Sequence, residues 1–383
     1  MVIRAANPDD NDRLVELASL TPMRGTISIC IQRKPDFFSL LNKKGEPHVI
    51  VAEEDDTIIG CVSIVKEEMV LLNQPTAFNY LCDLKVHPAY RSKKIGTKLS
   101  KAMHAYLLET GSDLLFSTVA DGNQHVMPLF NGKAGIKEVK TVGKFYILQL
   151  FPQKHVKIHP GYKIVQYTDE EKVVQMHSNF SSRYALHPAI TANTYVSCLH
   201  YAALKDGEPV AIISLFDTND LKQNVLIDIP WYFSIAVKFL RLAKPLLNTP
   251  YLPHKGEKIK ILYVKSFSYL PGHEDAFISL LSFSKQYAYI NNYSFLSITF
   301  HETDKLRKRL RGLQKPGTSM KLQFGVAGKS SSRSQVIYHK DNLFLKASVA
   351  YEYGLNKTLR IFLNNFCSAA YAAISRSLLP FIR

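Results

Sequence analysis

Residues 80–99 read YLCDLKVHPAYRSKKIGTKL, and this stretch changes character twice. Tyr80 to Val86 alternates in part, with Leu84 and Val86 on one side and the acid Asp83 among hydrophobes, the pattern of a strand. Pro88 ends the strand, because proline has no N–H to give a ladder. Arg91, Ser92, Lys93, Lys94, Ile95, Gly96 and Thr97 then lead into Leu99, Met103, Leu107 and Leu108, which recur at helical spacing. The first N–H groups of a helix lack intrahelical partners, and with the helix dipole and the nearby cations they suit an anion such as a pyrophosphate. A basic loop before a helix is also common as plain solvated surface, so this chemistry alone names no ligand.

Working outward, a chain of 383 residues has room for two domains and a sizeable core. With 46% hydrophobic and 21% charged residues it has the composition of a folded protein rather than a disordered one. No apolar run reaches the length of a membrane span. The start, MVIRAANPDD, carries acids and no apolar h-region, so a secretory signal is not expected. Five cysteines (Cys30, Cys61, Cys82, Cys198 and Cys367) lack paired spacing, which argues for a reducing, cytoplasmic setting. No CxxC spacing appears, and no metal site is expected. The net charge of +16 implies attraction to something anionic: a nucleotide cofactor, nucleic acid or an anionic membrane.

In chain order, Val2 to Ala5 reads as a strand, and Asn7 to Asp10 as a turn into a helix with Leu14, Val15, Leu17, Ala18 and Leu20 as its stripe. A short helix is expected over Asp36 to Leu41. Strands follow at His48 to Ala52 and Thr57 to Val65 around an acidic hairpin turn, then at Tyr80 to Val86. A helix from about Ile95 to Glu109 precedes a strand at Leu114 to Val119, a helix over Asn123 to Asn131, and a strand at Val142 to Leu150. Pro152 to Pro160 reads as a linker. The plan then restarts. A strand at Lys163 to Tyr167 leads to a helix capped by Asp169. Thr191 to His200 is expected as helix, and Tyr201 to Phe216 as two strands around Asp206-Gly207. Helical spacing returns over Trp231 to Leu247, then a strand at Lys258 to Ser268, a helix over Glu274 to Tyr289, a strand at Phe295 to Phe300, a basic helix over Asp304 to Leu313 and a strand at Met320 to Val326. Strands and helices in this order give an α/β fold, a mixed sheet with helices on both faces, built twice. The expected domains are residues 1–152 and 160–328, followed by a linker, a strand segment and a tail over 329–383.

The stretch from Tyr80 to Ile136 resembles the GNAT acetyltransferase superfamily. That family's acyl-CoA loop, Gln/Arg-x-x-Gly-x-Gly/Ala, follows a strand ending in Val-x-Pro. Here Val86, Pro88, Arg91 and Gly96 match, and Lys94 stands where the first glycine is usual. Asn123 matches the residue that starts the family's next helix and faces the CoA arm, and Gly135-Ile136 replaces a Gly-Phe pair. The resemblance covers residues 1 to about 150 in motif and element order, and 160–328 in element order alone. In the second half the strand is followed by Ser268-Tyr269-Leu270-Pro271-Gly272-His273, with no Arg-x-x-Gly-x-Gly. The chain thus resembles a tandem GNAT protein whose second, degenerate copy lacks the cofactor loop.

The resemblance implies an N-acetyltransferase that moves an acetyl group from acetyl-CoA to a primary amine by direct attack. The implied cofactor contacts are Leu84, Lys85, Val86, Arg91, Ser92, Lys93, Lys94, Ile95, Gly96, Thr97 and Asn123. Such transfer needs a deprotonated amine, a stabilised oxyanion and a protonated leaving thiolate. A β-bulge N–H near Leu84 is the implied oxyanion donor. Asp83 is the candidate base, against its reading as a structural carboxylate at the strand end. The family's general-acid tyrosine is replaced by Phe130, leaving Tyr80 and His125 as substitutes, each of which would otherwise simply satisfy a buried hydrogen bond. Cys82 reads as a small buried hydrophobe rather than a nucleophile.

Two basic segments lie apart from that loop. From Lys305 to Arg333 there are nine Lys or Arg and no acid, and Lys305, Arg307, Lys308, Arg309 and Arg311 fall on a short expected helix whose inner face is Leu306, Leu310 and Leu313. Without a nucleic-acid fold signature or interleaved aromatics, this reads as a solvated helix rather than a specific nucleic-acid surface. The tail, residues 356–383, has apolar residues at near-helical spacing and four cations without an acid, the pattern of a helix that docks on its own protein or lies on a membrane. The acceptor amine (small molecule, aminoglycoside-like compound, protein N-terminus or lysine) and the oligomeric state have no signature in the sequence. A fold-retaining binding or regulatory protein is the competing reading.

Overall fold

The computed structural model describes residues 1–23, 27–111, 114–120, 123, 138–244, 248–310 and 318–326. Its first half contains β1 (Val2–Ala5), α1 (Asn11–Ser19), β2 (Ser28–Gln32), α2 (Ser39–Asn42), β3 (Glu46–Glu54), β4 (Thr57–Leu71), β5 (Gln74–Val86), α3 (Ile95–Glu109), β6 (Leu114–Ala120) and β7 (Glu138–Leu150). The second contains β8 (Lys163–Gln166), α4 (Glu170–Ser181), β9 (Leu186–Pro188), β10 (Leu199–Lys205), β11 (Glu208–Asp217), β12 (Gln223–Asp228), α5 (Trp231–Leu242), β13 (Ile261–Tyr269), α6 (Glu274–Ile290), β14 (Phe295–His301), α7 (Leu306–Arg309) and β15 (Thr318–Val326). The fold is the expected tandem of two acyl-CoA N-acyltransferase-like units.

Successive residues of each long strand point to opposite faces, and both faces are apolar, so helices must cover both. On β4, Cys61, Val65 and Met69 pack with Leu14, Leu17 and Phe37 on the α1 side. Ile59, Val62 and Ile64 face the other way, against Ile95, Leu99 and Met103 of α3. The second half repeats this: Ala202 and Ile212 meet Val173 and Met176 of α4, while Ala203, Ala211 and Ile213 meet Phe277 and Leu280 of α6. The hairpins β3–β4, β4–β5 and β10–β11 turn through Asp55-Asp56, Leu72-Asn73 and Asp206-Gly207, each pair at positive φ, as two-residue type I′ turns require.

The halves are not joined end to end. One sheet runs β1-β3-β4-β5-β6-β15-β7-β14-β13-β11-β10-β8. Thus β15, from the end of the second half, lies between β6 and β7 of the first. Conversely β7 pairs only with second-half strands, β15 and β14. Either side of the β15–β7 pair the order is the same, so the two halves are related by a pseudo-two-fold axis. A second exchange obeys the same symmetry. β2 pairs with β12 across the halves, and β9 pairs with the end of β4.

Several expectations shift. Thr191 to His200 is not a helix: a single 3-10 turn, Ala192–Tyr195, gives way to extended Val196, left-handed Ser197 and then β10. The early helix shrinks to α2, because the Asp36 carboxylate accepts from the Phe38 N–H at 2.8 Å and the Ser39 hydroxyl at 2.5 Å, a side-chain turn that delays the first helical residue. The strand holding Asp83 begins at Gln74, six residues before Tyr80. β2, β9 and β12 are too short to show a period and went unseen. His125, Phe130, most of the 123–131 helix, the 329–333 linker and the 356–383 tail lie outside the described residues. Among the described residues no helix is long and apolar enough to cross a membrane.

Candidate functional site

β5 and β6 are parallel neighbours for only two rows, Asn79↔Leu115 and Tyr80↔Phe116. The Ser117 hydroxyl donates to the Leu81 carbonyl at 2.9 Å as the strands part, and beyond it they diverge. On its other side β5 pairs with β4, where Cys61 faces Lys85 but Ser63 faces Cys82, so β5 carries one extra residue. Asp83 has φ +49° there. Such a bulge takes an N–H out of the ladder and turns it aside. The bulge falls at the Asp83–Leu84 step, beside the parting strands.

The basic loop sits at the end of this strand. Pro88–Tyr90 forms a 3-10 turn, the Lys93 ammonium lies 4.5 Å from the centre of the Tyr90 ring, and α3 starts at Ile95. Ile95 and Leu99 come within contact of Gly60 on β4, where any Cβ would press on both, so α3 is seated close against the sheet. The helix cap is Lys94, with φ +57°. This explains why the family places glycine there: the backbone needs the left-handed region, which a lysine enters at some strain. Gly96 is different. Among the described residues a Cβ there would meet only Val86 Cγ2, at 3.8 Å, so their packing does not demand glycine. Space is left open at the helix N-terminus, ringed by exposed Arg91, Ser92, Lys93 and Lys94, with Thr97 partly exposed in the first turn.

The candidate acid–base residues fall in two groups. Asp83 is buried, and its Oδ2 receives Arg33 Nη2 at 2.7 Å, while Lys85 Nζ lies 3.9 Å from Oδ1. Arg33 directly follows β2, so the ion pair fastens the cross-half clamp to the bulge. Tyr80 is fully buried, its hydroxyl 3.2 Å from Thr118 Oγ1 on β6 and its ring tilted against Phe116. Beneath it, Lys44 Nζ stands 4.1 Å from the Tyr80 ring centre and 4.0 Å from Glu67. Leu84, Lys85 and Val86 line the strand as half-buried residues, and Asn123 is exposed just past β6, its N–H donating to the Ala120 carbonyl at 3.0 Å. The structure therefore brings together Tyr80, Asp83, Leu84 to Val86 and Arg91 to Thr97. It adds Arg33, Lys44, Glu67 and Thr118, which sequence reasoning passed over.

The second half keeps the frame without the loop. β13 and β14 are paired from Ile261 to Tyr263 only, and a bulge at Lys265 stands where Asp83 stands in the first half. Lys265 donates to the Thr194 carbonyl and lies 5.0 Å from the Phe216 ring centre; burial lowers its pKa. Beside it Ser214 Oγ sits 2.7 Å from His177 Nε2 and 2.8 Å from His200 Nδ1, all three buried. The helix that follows, α6, opens with Glu274 and Asp275, whereas the first turn of α3 has no acid. Two carboxylates at a helix N-terminus repel a pyrophosphate.

Residues 16–135 match the family model described as Acetyltransferase (GNAT) family. "Probable N-acetyltransferase HLS1" of Arabidopsis thaliana is 27% identical over 138 residues, and a second Arabidopsis protein, "Probable N-acetyltransferase HLS1-like", is 32% identical over 74. The first alignment spans 33% of this chain and 33% of that relative. Among solved structures, N-myristoyltransferase of Saccharomyces cerevisiae with bound myristoyl-CoA aligns with 85% of this chain and 78% of its own, at 12% identity and a TM-score of 0.57. A tandem GNAT protein of the clavulanic acid biosynthesis pathway aligns over 86% and 99%, at 12% identity and a TM-score of 0.56. At such identities the likeness is one of fold.

Proposed function

We propose, for a chain whose residues 16–135 match the GNAT family model and whose described residues share the fold of a tandem GNAT protein, that it transfers an acetyl group from acetyl-CoA to a primary amine. In this reading the first half holds acyl-CoA and the second half shapes the acceptor cleft. The observation that carries it is the space at Gly96. A glycine in a helix is disfavoured by about 1 kcal/mol relative to alanine, no neighbour of this one among the described residues requires it, and it sits amid cations at a helix start. A pyrophosphate there makes sense of all three.

The thioester would then lie between the parting ends of β5 and β6. The acceptor nitrogen attacks the carbonyl carbon, a C–N bond forms, the C–S bond breaks and CoA leaves as thiolate. The bulge N–H by Leu84 serves the oxyanion. Asp83, held by Arg33, is assigned to positioning the bulge in place of the base role read from sequence. Glu67, beside Lys44 under Tyr80, is the carboxylate proposed to accept the amine proton, directly or through water. Tyr80 is the group proposed to hydrogen-bond the departing sulfur. The domain limits, residues 1–152 and 160–328, and a cytoplasmic location belong to the same reading.

The test is thermal unfolding with and without acetyl-CoA. A ligand at about 100 times its dissociation constant stabilises by roughly 2.7 kcal/mol. The expected result is a rise in Tm that Gly96→Trp abolishes, with labelled acetyl moved onto an amine pool. No shift at millimolar acetyl-CoA sinks the proposal. The burial of both Asp83 and Tyr80 favours a second reading, a protein that binds acyl-CoA without turnover. A Tm shift without transfer to any amine would support it.

A further inference from the structure

α5 carries a surface that acyl transfer does not use. Its inner residues Phe233, Val237 and Leu240 are buried against Ile27, Ile29 and Leu226, which pins the helix in one rotation. Its outer face is then fixed toward solvent, and that face is apolar. Trp231 is 75% exposed, Tyr232 50%, Ile235 59%, Phe239 50% and Leu242 82%. Of the sixteen large apolar side chains exposed among the described residues, these five lie on one helix. At about 100° per residue they share an arc of roughly 100°, edged by Lys238.

The charge around the ridge has one sign. Between Asp228 and Glu257 the sequence has Lys238, Arg241, Lys244 and Lys255 and no acid. Glu257 pairs with Arg241 at 3.1 Å, Asp228 pairs with Lys255 at 3.3 Å, and Lys244 turns away from the ridge to donate to Asn292 Oδ1 at 2.8 Å, which leaves Lys238 as the ridge's net charge. An apolar stripe with an aromatic pair at one end and a cation at its edge is the composition of an interfacial helix, whose rings settle at headgroup level while the cation meets anionic lipid. A second copy is the poorer occupant. A two-fold contact would bring together two chains of net charge +16, with Lys238 at the edge of each ridge.

We propose that α5 seats the protein on an anionic lipid surface, with Trp231, Ile235, Phe239 and Leu242 entering the interface and Lys238 on the headgroups. Catalysis is not involved, so binding is measured without turnover. Trp231 is the single tryptophan of the chain, which makes intrinsic fluorescence a reporter of this helix alone. The full chain is mixed with vesicles of phosphatidylcholine alone or with phosphatidylserine added, then sedimented and its emission recorded. The expected result is sedimentation with the anionic vesicles only, with a blue shift of Trp231 and quenching by brominated acyl chains. Ile235→Ser/Phe239→Ser should lower vesicle affinity at least tenfold with an unchanged Tm, and Lys238→Glu should weaken it in proportion to the lipid charge. Three results overturn the proposal. One is the absence of sedimentation. Another is sedimentation with unaltered Trp231 emission, which would put the lipid contact elsewhere, as in 356–383. The third is a blue shift without lipid that grows with protein concentration alongside a doubled mass, which would make the occupant a second copy.

Discussion

His301 stands at the seam where the halves trade strands, and acid should act on that seam. It ends β14 opposite Phe145 of β7, its ring 5.6 Å from that phenyl, with Nδ1 2.7 Å from Thr303 Oγ1. A Cβ on Gly143 would overlap its Nε2, so β7 has a glycine where the imidazole lies. Burial pushes the His301 pKa down from 6.5 to about 4. The unfolded chain therefore takes up this proton near pH 6.5, and the folded chain only near pH 4. The neutral ring's contribution is complete above 6.5 and is lost as pH falls toward 4. At 1.36 kcal/mol per unit, the loss reaches about 2–3 kcal/mol at pH 4.5. The perturbation is His301→Gln, which cannot titrate and can still bond Thr303. Urea midpoints taken from pH 7.5 to 4.5 for both proteins isolate the effect, because His200 and His48, also lowered by burial, are common to the two. The wild-type midpoint should fall more steeply, and the gap between the proteins should narrow or reverse by about 2–3 kcal/mol across the window. Parallel lines would refute the assignment.

Other consequences are equally direct. Gly96→Ala should raise stability by about 0.5–1 kcal/mol by urea unfolding while weakening acetyl-CoA binding by calorimetry, since the methyl has room in the protein alone. Lys94→Gly and Lys94→Ala separate strain from charge. Both should weaken acyl-CoA equally, but only the glycine variant should gain roughly 0.5–1 kcal/mol of stability; equal Tm values would remove the strain argument. Arg33→Met removes the 2.7 Å partner of the buried Asp83 carboxylate and leaves it Lys85 at 3.9 Å; it should cost about 3–5 kcal/mol, most of it restored in Arg33→Met/Asp83→Leu. Residues 1–152 expressed alone should give poorly dispersed amide resonances and rapid proteolysis, because β6 and β7 would have no β15 between them.

The loop proposed to hold the cofactor was legible as a basic loop before a helix because its signals are local. Arg91 to Thr97 concentrates charge and glycine within one loop, and Leu99, Met103 and Leu107 mark the helix after it. Even the departure at Lys94 pointed to a real backbone feature, its left-handed φ of +57°. The bulge at Asp83 was expected from resemblance rather than periodicity, since one inserted residue barely disturbs a short alternation. The Arg33–Asp83 pair was out of reach: it joins residues 50 apart through a strand of five residues that has no readable period. Lys44 and Glu67 are hidden for the same reason, looking like ordinary surface charges in a list. The strand exchange is a choice of partner, and alternation along β7 or β15 says which face is buried but not which strand lies beside it. Helical spacing over Trp231 to Leu247 was read from Phe233, Val237, Leu240, Ala243 and Leu247; the helix ends at Leu242, and its outer ridge emerged only once exposure was known.

The insertion of β15 also sets an order on synthesis. A ribosome delivers the chain from its N-terminus, so β6 is complete at Ala120 while its neighbour ends only at Val326. At roughly 5–20 residues per second, the intervening 206 residues (326 less 120) take on the order of 10–40 s to appear. Throughout that interval the nascent first half presents an open edge strand, the template on which wrong pairing begins. A chaperone bound to nascent chains of intermediate length, and released once residue 326 has cleared the exit tunnel, is what this topology asks of the cell.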